Sequence, residues 1–97
     1  MAKKISPKKI AETVGFFKVL ADENRFRVIQ MLLDARMGLL VGEIADRLGV
    51  SQSTTSHLLA RLQAEGIVIH KKEGRSVRYR MHTTPSARTI ARLVRTV

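Results

Sequence analysis

The stretch Ile44–Leu62, IADRLGVSQSTTSHLLARL, decides how this chain is read. A short helical run from about Glu43 to Leu48 ends at Gly49, and Ser51 caps a second run that continues to about Glu65. Two helices meeting at a steep angle need a small residue where they touch, and Ala45 occupies that place. The sharp turn between them needs a residue tolerant of positive φ, which Gly49 supplies. Ile44, Leu48, Val50, Leu58, Leu59 and Leu62 are spaced to close a core between the two. On the second helix Thr55, Leu58, Leu59 and Leu62 share one side, and Gln52, Ser53, Ser56, His57 and Ala60 share the other.

An outer face of short polar side chains with an alanine suits a helix that lies against base edges in a major groove. The start of that helix also offers backbone N–H groups and a positive dipole end to phosphate. The pair therefore reads as a helix-turn-helix, against the blander alternative of an amphipathic hairpin with no nucleic-acid role. Composition agrees with the first reading. The chain has 97 residues, with 18 Lys+Arg against 8 Asp+Glu, a net charge of +10 and a pI near 11.2. Such an excess calls for a polyanionic partner, nucleic acid or an acidic membrane surface. A hydrophobic fraction of 44% is ordinary for a folded domain and argues against disorder.

Working outward, residues 1–5 form a basic tail, and Ser6-Pro7 gives an N-cap followed by proline at the first helical position. The helix that follows, to about Leu20, carries Ile10, Val14 and Phe17 on one face. Asp22 caps a second helix to about Asp34, with Phe26, Ile29, Leu32 and Leu33 on its apolar side. Met37-Gly38 ends it, and Leu39-Leu40-Val41 is long enough only for a stub of strand. Beyond Gly66, residues 67–71 and 76–81 read as two strands joined by a turn at 72–75. Val77, Tyr79 and Met81 share one face of the second strand, with Arg78 and Arg80 on the other. Thr84-Pro85 repeats the cap-plus-proline signal and opens a last helix. Its apolar side is Ile90, Leu93, Val94 and Val97, and its other side is Arg88, Arg92 and Arg95.

The fold expected is mainly α with a small β-wing: one winged helix-turn-helix domain over residues 1–97, ordered α-α-(short β)-α-α-β-β-α. The apolar faces of the first and last helices exceed what so small a domain can cover. An obligate dimer through Ile10, Val14, Phe17, Ile90, Leu93, Val94 and Val97 follows.

Taken together these residues resemble the ArsR/SmtB family of winged-helix regulators, over nearly the whole chain. Leu20–Arg27, LADENRFR, is similar to that family's LADPTRLRIL opening of its second helix, with Glu23 where proline is usual. Ser51–Leu59, SQSTTSHLL, is similar to its SQSxxSHxL recognition helix, with Leu58 where many members carry His or Gln. Leu62, Glu65-Gly66-Ile67-Val68, Glu73-Gly74-Arg75 and Tyr79 fit its wing. The resemblance implies a homodimeric DNA-binding regulator, a repressor by expectation, paired through the first and last helices on a palindromic operator.

It also names two metal sites to look for. One uses a Cys-Val-Cys pattern at the first helix of the hairpin, where this chain has Leu40-Val41-Gly42, and neither Leu nor Gly can ligate a metal. The other uses Asp, His and Glu on the last helix, and Pro85–Val97 contains none of them. The chain has no cysteine, which excludes disulfides, thiolate sites and a cysteine switch. His57 reads as DNA-facing. His70 and His82, near the two ends of the wing strands, read as solvated or hydrogen-bonded rather than paired across a symmetry axis on a metal. Met31, Met37 and Met81 read as core filler rather than soft-metal ligands. An atypical metal site is the alternative at both sets. No metal site and no cofactor are expected.

The residues expected on DNA are Ser51, Gln52, Ser53, Thr54, Ser56, His57 and Arg61 from the recognition helix, and Lys71, Lys72, Arg75 and Arg78 from the wing. No catalytic arrangement or glycine-rich phosphate loop is present, so an enzyme is not expected. No apolar run has the roughly 18 residues of a membrane span. The start lacks the long apolar stretch of a signal peptide, so a soluble, cytoplasmic protein is expected. Two alternatives stand beside a sequence-specific regulator. One is a nucleoid-like binder using charge alone. The other is a module that meets a protein or an acidic surface through Arg88, Arg92 and Arg95.

Overall fold

The computed structural model describes residues 4–97; residues 1–3 of the basic tail lie outside them. The elements are α1 (Pro7–Leu20), α2 (Glu23–Asp34), β1 (Leu39–Leu40), α3 (Val41–Leu48), α4 (Gln52–Ala64), β2 (Val68–Glu73), β3 (Ser76–Met81) and α5 (Pro85–Arg95). This is the winged helix-turn-helix order read from the sequence.

Four helix starts are fixed by local chemistry. The side chains of Ser6, Asp22, Ser51 and Thr84 accept from the backbone N–H groups of Lys9, Arg25, Thr54 and Ala87 at 2.9–3.1 Å. Each such cap is worth about 1 kcal/mol. α3 begins two residues earlier than its sequence suggests, because the Glu43 carboxylate reaches back to accept the Leu40 N–H at 2.8 Å. That bond satisfies a donor at the helix start and draws Val41 and Gly42 into the first turn.

α2 is the hub, packing against α1, α3, α4, α5 and β3. Val28 and Ile29 are fully buried on it and Leu32 nearly so, while Phe26 and Leu33 are half-buried. Val28, outside the periodic apolar side, is inside because neighbours surround the helix. Ile44, Leu59, Leu62, Ile67, Val68 and Ile90 complete the core. Thr55, buried among them, donates its hydroxyl to the Ser51 carbonyl at 2.9 Å, so no polar group is orphaned there.

The sheet is antiparallel with order β1-β3-β2. Lys72 and Glu73 belong to β2, paired with Val77 and Ser76, so the hairpin turn is shorter than the expected four-residue stretch and only Gly74-Arg75 remain at its tip. Pairing of Leu39 with Tyr79 and Leu40 with Arg78 ties the wing to the helix-turn-helix.

The molecule measures 53 × 23 × 22 Å, long because α1 projects from the body. Within α1 only Val19 is buried, whereas Ile10, Val14 and Phe17 are 50%, 44% and 61% exposed. Arg25 fixes the projecting helix at its root, its guanidinium donating to the Val19 and Lys18 carbonyls at 2.9 and 3.0 Å. On α5 the expected apolar side divides. Ile90 and Val94 are buried in the protomer's own core, and only Leu93 and Val97 remain exposed. Those two buried residues are therefore not part of an uncovered face. They belong to the side of α5 that packs on α2, further round than Leu93. Met37, expected as core filler, is 84% exposed in the α2–β1 turn, while Met31 and Met81 are half-buried against the core.

Candidate nucleic-acid interface

α4 presents one clean outer face. Gln52, Ser53, Ser56, His57, Ala60 and Arg61 are exposed, while Thr55, Leu59 and Leu62 hold the helix to the core. Ser51 and Thr54 are exposed but engaged: the Ser51 hydroxyl donates to Thr54 Oγ1 at 3.0 Å while accepting the Thr54 N–H. Their atoms first serve the cap. Gln52 lies over the start of α3, its Nε2 3.5 Å from where a Cβ on Gly42 would stand.

The wing brings a cation to this face. Gln52 and Ser56 of α4, Arg75 at the hairpin tip, and Ser76 and Val77 of β3 line one concavity with residues 40–43. Residues 23 positions apart thus reach the rim of a single depression, polar on the α4 side and cationic on the wing side. The Glu43 carboxylate of α3, engaged by the Leu40 N–H, is also in its lining.

The other wing cations separate by strand alternation. Lys72 pairs across the hairpin with Val77 and shares its face, whereas Lys71 pairs with Arg78 on the opposite face. Arg78 is not a free cation. Its Nε donates to Glu73 Oε2 at 2.7 Å, and its Nη1 donates to the Gly38 carbonyl at 3.3 Å. The Glu73 carboxyl is held below its ordinary range by this bond, and Arg78 is held above its own by the same partner. Arg78, expected on DNA, thus has its Nε and one Nη1 donor engaged within the protomer. Glu73, at the diagonal position of the hairpin, pairs with its charge, and the Arg78 bond to Gly38 ties the wing to the α2–β1 turn.

His70 contacts Gln63 Oε1 through Nδ1 and lies tilted against Tyr79, with ring centroids 5.5 Å apart. This brace between α4 and β2 was not read from the sequence, since nothing local marks a pairing across Gly66. Burial raises the Tyr79 phenol above its ordinary range. His82 lies just beyond β3; its backbone N–H donates to the Ile67 carbonyl and its Nδ1 accepts the Thr83 N–H. Because β2 extends to Glu73, both histidines stand toward the base of the wing rather than at its two ends. Among the described residues no group of three or more His, Cys, Asp or Glu is arranged to hold a metal ion.

Comparison with known proteins follows this geometry. An IclR helix-turn-helix domain model matches residues 23–70, from α2 into β2. The transcriptional activator HlyU of Vibrio cholerae is 39% identical over 77 residues, 79% of this chain and 69% of HlyU. Its solved structure superposes with a TM-score of 0.78 at 37% identity, covering 94% of this chain and 97% of that one. An SmtB repressor homologue from Synechocystis is 39% identical over 64 residues, 66% of this chain and 47% of the relative. The chain belongs to the ArsR/SmtB family. A homodimeric winged helix-turn-helix DNA-binding domain from Mycobacterium bovis also superposes with a TM-score of 0.72 at 26% identity, covering 99% of this chain and 85% of that one. As a member of the ArsR/SmtB family the chain is a DNA-binding transcriptional regulator.

Proposed function

We propose that the protein is a homodimeric repressor that binds a palindromic operator. Each protomer seats α4 in a major groove and lays the tip of its wing on the adjoining backbone. One observation carries this reading: unpaired Gln52 and Ser56 share a concavity with Arg75, so base-edge donors and a phosphate-seeking cation face the same way. The +10 charge fits that partner. No described helix is long and apolar enough to cross a membrane. The M. bovis domain is a homodimer, and the exposed apolar residues of α1 and α5 supply the matching surface here. Repression is the sign we assign, because occupancy of a promoter requires no contact beyond DNA itself.

Two replacements test the division of labour. A phosphate contact carries charge but little sequence information, and a base-edge contact the reverse. Arg75→Ala should weaken operator and random duplex together and flatten the salt dependence by about one unit. Gln52→Ala should weaken the operator by about 1–3 kcal/mol and leave random DNA nearly untouched. Affinities for both duplexes at several salt concentrations read this directly. Equal losses on Gln52→Ala would move the nucleoid-like alternative ahead.

The family's cysteine and last-helix metal sites are lost in this member, on our reading. Leu40 and Gly42 carry no donor atom, and α5 has no acid or histidine. Zinc, cadmium, arsenite and copper should then leave operator affinity unchanged within about twofold, against the 5- to 150-fold typical of allosteric coupling. A larger shift in a fluorescence-anisotropy titration would reveal a working site.

A further inference from the structure

α5 has two unlike flanks beside the stripe it buries. Leu93 stands on one, and Arg88, Arg92 and Arg95 stand on the other, roughly 100–160° around the helix. Between the arginine flank, the last turns of α2 and the end of β3 lies a groove of about 480 Å³. Its apolar lining is Leu33, Met81, Ala87 and Ala91. Its cations are the three arginines, and no acidic residue lines it. None of the three guanidinium groups has a hydrogen-bond or ion-pair partner among the described residues, where Arg78–Glu73 is the sole ion pair.

We propose that this groove binds a small organic monoanion, a carboxylate carried on an aromatic or aliphatic body. A guanidinium fork matches a carboxylate in two parallel hydrogen bonds, and an apolar surface beside it would cover the rest of the molecule. DNA is not the natural occupant. Met81 is at the opposite end of β3 from Arg75, and a six-residue strand spans roughly 17 Å. A second copy of the chain is not the occupant either, since the exposed apolar residues it would cover, Ile10, Val14, Phe17, Leu93 and Val97, do not line the groove. The walls of the groove also bear on function. One is the end of the wing strand and the other is the helix that carries Leu93. A ligand bridging Met81 and Arg92 would hold the wing in a set position relative to the dimer helix.

The test is a ¹⁵N NMR titration of the full chain, without DNA, so its outcome does not depend on the operator reading. Benzoate and hexanoate are the probes, with benzamide and inorganic phosphate as counterparts. Saturable shifts confined to the neighbourhood of Leu33, Met81, Ala87 and Ala91 are expected with either carboxylate. Benzamide should bind at least tenfold more weakly for want of charge, and phosphate at least tenfold more weakly for want of an apolar body. The double replacement Arg88→Gln, Arg92→Gln should lose at least tenfold in carboxylate affinity. Both side chains are exposed, and an unchanged spectrum of the free variant confirms its fold. Absence of saturation with both carboxylates overturns the proposal. So does equal binding of benzamide or of phosphate, and these arms use the unmodified protein.

Discussion

Phe17→Glu is expected to leave a folded protomer that no longer dimerises and that binds its operator about 10²- to 10⁴-fold more weakly, the gain usually conferred by linking two sites. The protomer tolerates the change because Phe17 is already 61% exposed and packs on little of its own chain. The dimer does not. A carboxylate placed in the seam with Ile10, Val14, Leu93 and Val97 must lose its water without gaining a partner. Sedimentation at micromolar concentration, thermal unfolding and operator titration together read the three parts. Ile90→Ala makes the contrast. Ile90 is fully buried within the protomer, so its truncation should cost about 2–5 kcal/mol of folding stability, by the cavity it leaves. A Phe17→Glu protein that still sediments as a dimer would remove the α1 face from the interface.

The difference between Phe17 and Ile90 marks where the sequence stops being legible. Periodicity placed both on apolar faces correctly, but it cannot tell which neighbour covers a face. On α5 the residues Ile90 and Val94 are buried in the protomer, while Leu93, and Val97 just beyond the helix, remain exposed. Features governed by near neighbours were readable. The caps Ser6, Asp22, Ser51 and Thr84 act over three residues, and all four make the expected bonds. The outer face of α4 follows from helix phase alone, and it is exposed as read. Features set by partners across the fold were not readable. Alternation places Arg78 on the face opposite Val77, yet its bonds to Glu73 across the hairpin and to a carbonyl 40 residues away depend on how distant segments pair. The Gln63–His70 brace depends on how α4 meets β2. The start of α3 was misplaced because its cap is a glutamate reaching backward, not a serine or aspartate standing at the end.

Gly38→Ala is expected to be far more damaging than Gly49→Ala, although both glycines have positive φ, +83° and +73°. A left-handed residue with a Cβ costs about 1–2 kcal/mol wherever it stands. At Gly49, in the turn between α3 and α4, a Cβ would have nothing within 4 Å, so that cost is the whole effect. At Gly38 a Cβ would stand 2.4 Å from the Tyr79 carbonyl oxygen and 3.1 Å from Arg80 Cβ. The oxygen is backbone of β3, held in register against Leu39, and cannot swing aside as a side chain would. The Gly38 N–H already donates to the Ala35 carbonyl at 2.8 Å, and its own carbonyl receives Arg78, so the glycine cannot retreat freely either. Relief must come from parting β1 from β3, which adds an overpacking cost of about 1–3 kcal/mol to the left-handed one. Denaturant unfolding should therefore give a loss of about 2–5 kcal/mol for Gly38→Ala, and about 1–2 for Gly49→Ala. The functional consequence follows from the same ladder. β1–β3 pairing holds the wing to the helix-turn-helix, and Arg75 reaches the rim beside Gln52 only while it does. Under conditions where the Gly38→Ala protein is still folded, its operator affinity should fall with Gln52 and Arg75 both intact. Equal stability losses at the two glycines, with operator affinity unchanged, would mean that the wing is not positioned by that two-residue strand.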